Sequence, residues 1–159
     1  MRKAVAVDAS FLAVLLDKRA RVSVENGPER IARLIEDLSA VNAKVIIPVP
    51  VLAEVLKYAA GAGPAYMEHI NKFPCFQIRP FDDKAAIELA QLLPRETAAR
   101  KDLLKFDRQI VAIAKVYGAS TLYTNDEKIL EFAAQCWLET VKFNYLMNEF
   151  SEDCNHALK

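Results

Sequence analysis

Short β-branched apolar runs alternate along this chain with longer stretches of helical periodicity, and polar or proline- and glycine-containing breaks separate them. Lys3 to Val7 reads as a strand ending at Asp8, and Ser10 to Leu16 as a helix. A polar break from Asp17 to Gly27, carrying Lys18, Arg19 and Arg21, leads to Pro28, which suits the first turn of a helix. That helix presents Ile31, Leu34, Ile35 and Leu38 at the i, i+3, i+4, i+7 spacing of one buried face. Lys44 to Ile47 is a second strand, closed by Pro48 and Pro50. Helices are predicted from about Val51 to Ala60 and from Ala65 to Lys72, on either side of the break Gly61-Ala62-Gly63-Pro64. Phe76 to Arg79 is a third strand, and Asp82 to Leu93 a helix stopped by Pro94. Leu103 to Tyr117 is strongly amphipathic and ends at Gly118, a helix-terminating residue. Ser120 to Tyr123, Glu127 to Ala134 and Trp137 to Val141 then read as strand, helix and last strand. Such alternation predicts an α/β fold, with a parallel sheet covered on both faces.

The 159 residues favour a single domain with a core large enough to fold unaided. Hydrophobic residues at 53% make the chain too apolar for a disordered one. The 21 Lys and Arg balance the 21 Asp and Glu, so bulk charge does not steer the protein onto nucleic acid or an anionic membrane. No apolar run is long enough to span a bilayer, and the N-terminal apolar run meets Asp8 too early for a signal peptide. Cys75, Cys136 and Cys154 are scattered without paired spacing, which argues against a disulfide framework or zinc knuckle and for reduced thiols in a cytoplasm. His69 and His156 are the only histidines, so histidine-rich metal sites and Ser-His-Asp catalysis are poor fits.

Carboxylates remain as the candidate chemistry. Ligands of a parallel α/β sheet bind beyond the carboxyl ends of its strands, where Asp8 and Asp126 are expected. Each could simply cap the helix behind it, since Asp is a favoured N-cap. Asp107 falls among Leu103, Ile110, Val111 and Ala114 on the helical wheel, inside an apolar face. A buried carboxylate there needs a cation, a hydrogen-bond set or a raised pKa. A salt bridge to Lys105 or Arg108 is the plainer alternative. Glu54 lies at the edge of another apolar stripe, Val51 to Leu56. Four acids with almost no histidine suit Mg²⁺ or Mn²⁺ rather than zinc. Such an ion activates water and stabilises charge on a phosphodiester.

Four segments together resemble the PIN-domain family, in particular the toxin ribonucleases of the VapC kind. They are Val7-Asp8-Ala9-Ser10, Pro50-Val51-Leu52-Ala53-Glu54-Val55, Phe106 to Ala114 around Asp107, and Thr124-Asn125-Asp126. The order of the acids matches across nearly the whole chain to about Val141. The resemblance implies a three-layer α/β/α fold with about four to five mainly parallel strands and a PIN-like domain over residues 1–143; the helical or polar tail over 144–159 falls outside it, and Glu149, Glu152 and Asp153 suggest a solvated end. It also implies an endoribonuclease using Mg²⁺ or Mn²⁺. Asp8 and Asp107 would be the principal metal ligands, with Asp126 completing the cluster and Glu54 holding a second ion or positioning water. Ser10 and Thr124 resemble the hydroxyl residues that support such sites, though local backbone capping explains them equally. Implied partners are RNA, a second copy of the chain and an antitoxin protein.

Arg95 to Arg108 holds five basic residues against three acids, which makes Arg100, Lys101, Lys105 and Arg108 candidate RNA contacts or an ordinary solvated helix face. An aspartyl-phosphate phosphatase would need an acid two residues after Asp8, where Ser10 stands. A response-regulator receiver would need a second acid beside Asp8 and a Lys at a late strand end. A non-catalytic metal- or RNA-binding module of the same fold is the remaining alternative.

Overall fold

The computed structural model describes residues 2–17, 19–20, 26–93, 105–143 and 146. The expected helix start at Leu103, the candidates Arg100 and Lys101, Lys18 and Arg21 of the polar break, and all of the tail except Leu146 lie outside those residues. Within them the chain runs β1 (Ala4–Val7), α1 (Ala9–Leu16), α2 (Gly27–Ala40), β2 (Lys44–Pro48), α3 (Val49–Tyr58) and α4 (Gly63–Asn71). It continues with β3 (Phe76–Arg79), α5 (Asp83–Leu92), α6 (Phe106–Val116), β4 (Thr121–Tyr123), α7 (Glu127–Gln135) and β5 (Glu139–Val141). A single turn of 3₁₀ helix, Ala60–Ala62, joins α3 to α4.

The five strands form one parallel sheet in the order β3-β2-β1-β4-β5, within a three-layer α/β/α arrangement. Every residue of β1 is buried, and β2 is buried from Val45 onward, as a central strand covered on both faces requires. Val5, Val7, Val45, Ile46, Ile47 and Leu122 make the middle of the core. Each such side chain contributes about 1.5–3 kcal/mol relative to an exposed one. Helix α2 closes over them with Ile31, Ile35 and Leu38 buried, the face its spacing predicts, while Leu34 is only partly buried. Leu146, beyond the last strand, is also buried against the core.

Several boundaries differ from the sequence pattern for local reasons. Pro50 does not close β2. It sits in the first turn of α3, where its missing N–H costs nothing. In the Gly61–Pro64 break the left-handed residue is Ala60 (φ 49°), and Gly63 already opens α4 with Pro64 in its first turn. Trp137 adopts φ 59° directly after α7, so β5 begins at Glu139 rather than at Trp137. Gly118 ends α6 at φ 82°, as its position predicts.

Candidate active site

The strand order carries the main consequence for function. From β1 the chain moves outward to β2 and β3, then returns to place β4 on the opposite side of β1. The two strands whose carboxyl ends bear Asp8 and Asp126 therefore lie side by side, paired from Val5 and Thr121 to Val7 and Tyr123. The gap between them is the point where the strand order reverses, which is where open α/β sheets bind ligands.

Asp8 leaves β1 there and is 2% exposed. Its Oδ1 accepts from the Phe11 N–H at 2.9 Å and from the Ser10 hydroxyl at 2.7 Å, so it does cap α1. Its Oδ2 accepts from the hydroxyl of Thr124, which is 0% exposed at the end of β4. Thr124 Oγ1 in turn accepts the Asp126 N–H at 3.0 Å. One buried hydroxyl thus ties the two strand-end acids together across the switch point. Burial pushes the Asp8 carboxyl above its ordinary range, and Asp126's charge pushes in the same direction. The hydrogen bonds from Thr124, Phe11 and Ser10 pull it back. A carboxylate offers about four lone-pair positions, and three are taken here, leaving one on Oδ2.

Asp126 caps α7 by accepting from the N–H groups of Lys128 and Ile129 at 2.9 and 3.2 Å. Both strand-end acids are therefore helix caps, and both also face the same gap. Only Oδ1 of Asp126 is used in capping, and the residue is exposed. Glu54 projects from α3 and is also exposed. Partial loss of water at the cleft wall, followed by the charges of Asp8 and Asp126, raises its pKa. Those two Coulombic contributions place Glu54 electrostatically within the same cluster.

Asp107 differs from the wheel argument. Helix α6 begins at Phe106, so Asp107 stands in its first turn and is half-buried rather than inside the apolar face. Ile110 and Val111, which share its side of the wheel, are buried. The salt-bridge alternative does not form among the described residues. Arg108 instead lays its guanidinium over the Phe132 ring at 4.5 Å.

Glu54, Asp107 and Asp126 line one open cleft of ≈ 550 Å³. Lys105, Arg108 and Lys128 line it as well. Sequence patterning had singled out Lys105 and Arg108, whereas Lys128 carries no signal beyond standing two residues after Asp126. Among the described residues no three acid, His or Cys side chains stand close enough to share one ion as they are placed. The donors nonetheless fit a hard divalent ion, being all oxygen and presented by four different elements toward one gap.

A sequence model of the PIN domain family matches residues 5–135. No curated protein matches the chain. Among solved structures, DNA-bound VapBC2 from Rickettsia felis is similar at TM-score 0.61 and 19% identity, covering 87% of this chain and 98% of that one. DNA-bound VapBC from Salmonella typhimurium is similar at TM-score 0.60 and 19% identity, covering 90% and 99%. VapC20 from Mycobacterium tuberculosis, described as a toxin that cleaves the sarcin-ricin loop, is similar at TM-score 0.55 and 18% identity, covering 82% and 93%. At these identities the likeness is one of fold. No helix among the described residues is long and apolar enough to cross a membrane.

Proposed function

This chain belongs to the PIN domain family, and on that footing we propose that it is a divalent-metal-dependent endoribonuclease, the toxin of a toxin–antitoxin pair. What supports the reading is that Glu54, Asp107 and Asp126 line one cleft at the switch point of the sheet, while Asp8, buried at the end of the neighbouring strand, is electrostatically coupled to Glu54 and Asp126. Asp8, Asp107 and Asp126 are the residues that hold Mg²⁺ or Mn²⁺. When bound, the ion supplies Lewis-acid activation of water and neutralises charge on the phosphodiester. Glu54 carries a proton affinity raised by its neighbours, which suits it to take the proton of an attacking water. Thr124 and Ser10 orient Asp8, fixing which of its lone pairs faces the cleft. Lys105, Arg108 and Lys128 offer positive charge to the flanking phosphates.

The VapBC likenesses support an antitoxin partner, and the family resemblance supports a homodimer in the cytoplasm. Cleavage of a mixed RNA pool with and without Mn²⁺, beside an Asp8→Asn/Asp107→Asn variant, tests the reading. Discrete fragments that need both metal and the wild-type acids are expected. No cleavage, with a metal-dependent rise in Tm that the variant loses, would instead identify a non-catalytic metal-binding module. The absence of any metal response would remove the acid site altogether.

A further inference from the structure

We propose that Phe106 is the platform on which an unpaired nucleobase of the RNA stacks. The inference rests on the ribonuclease reading and assigns a residue outside the acid cluster. Phe106 is the first residue of α6, immediately before Asp107, and is 63% exposed. Among the described residues it is not part of the hydrophobic core. It lines the same cleft as Glu54, Asp107 and Asp126. The opposing charge in that cleft comes from Lys105, Arg108 and Lys128.

An exposed aromatic ring in a cleft that also holds cations is the combination that binds single-stranded nucleic acid, with the cations meeting phosphates while the ring takes a base. A paired base offers no free face to such a ring without first leaving its helix. The protein's zero net charge fits the same picture, since affinity then comes from local charge and stacking rather than from a general field.

The test compares wild type, Phe106→Ala and Phe106→Tyr on two fluorescent oligoribonucleotides, one single-stranded and one a fully paired hairpin stem. Kd is read by anisotropy in EDTA and KM in Mn²⁺. Phe106→Ala should weaken single-strand binding by roughly 5- to 150-fold, the range for loss of one stacked base. Its salt slope should be unchanged, because no phosphate contact is lost. Phe106→Tyr should bind like wild type, and duplex binding should move in neither variant. In a Trp137→Phe background, which removes the one native tryptophan, Phe106→Trp emission should be quenched by the single strand and not by the hairpin. Wild-type cleavage with unchanged Phe106→Ala affinity would overturn this inference alone, as would an equal loss on both RNAs. Failure of wild type to bind or cut either RNA would overturn the ribonuclease reading with it.

Discussion

Thr124→Val isolates the link between the two strand-end acids. Valine keeps the shape of threonine and removes only the hydroxyl, which is buried, donates to Asp8 Oδ2 and accepts the Asp126 N–H. Above the Asp8 pKa the lost bond is one to a charged acceptor, worth about 1.5–3 kcal/mol. Below it the same bond to a protonated carboxyl is worth about 1 kcal/mol. The hydroxyl holds down a pKa that burial raises, so the variant's Asp8 must titrate at still higher pH. The cost of the substitution therefore grows as pH rises through the Asp8 titration, by about 0.5–2 kcal/mol in all. Metal-free urea denaturation of wild type and variant from about pH 4.5 to 8 reads it directly. Thr124→Ser supplies the contrast. It keeps the hydroxyl and loses a buried methyl, costing about 1 kcal/mol at every pH. A Thr124→Val cost that does not change with pH would refute the idea that this hydroxyl stabilises a charged Asp8.

Asp107→Asn should abolish metal-dependent cleavage while leaving Tm without metal unchanged or slightly higher, since it removes charge from a cluster of acids. Loss of folding in circular dichroism would show a structural role instead. Asp126→Asn keeps a good helix cap and Asp126→Ala does not, so both should lose metal-induced stabilisation in thermal melts, while only the alanine variant costs about 1 kcal/mol without metal. Glu54 binds its proton more tightly in the folded state, so it favours folding fully below its unfolded pKa and loses that contribution as pH rises through the folded one. Glu54→Gln should accordingly raise Tm without metal at neutral pH, by no more than about 2 °C, with the gain vanishing near pH 4. A constant difference across pH would deny the coupling. Comparing the variant with wild type cancels the opposite, lowered titrations of Asp17 and Asp82.

The elements of this fold are legible in the sequence because each is written locally. Ile31, Leu34, Ile35 and Leu38 can share a face only on a helix, and Val45-Ile46-Ile47 between breaks can only be a buried strand. Strand order is not local. Nothing near Thr124 in sequence indicates that its hydroxyl will reach Asp8, 116 residues away, because that contact depends on β4 returning beside β1. The same limit explains Asp107. Its wheel neighbours are those of a continuous helix from Leu103, but α6 begins at Phe106, and a first-turn residue is wrapped on one side only. Patterning thus singled out Asp107 through a burial that is only half present.

Capping and catalysis are usually weighed against each other for an Asp at a strand end, and here the proposed catalytic geometry is the capping geometry itself. A cap must leave the strand in extended conformation and turn its carboxylate toward the N–H groups of the helix that follows. Asp8 and Asp126 do so at φ −94° and −74°. The same constraint fixes one oxygen and presents the other along the sheet's carboxyl edge, toward whatever lies between β1 and β4. For Asp126 the capping oxygen is Oδ1 alone. For Asp8 it is again Oδ1, with Oδ2 turned to Thr124 and the neighbouring strand. Two caps on adjacent parallel strands, joined by one hydroxyl, thereby become two oriented oxygen donors. Each is held by hydrogen bonds that the helices need in any case, so the proposed shared cation would require no further strain to aim them.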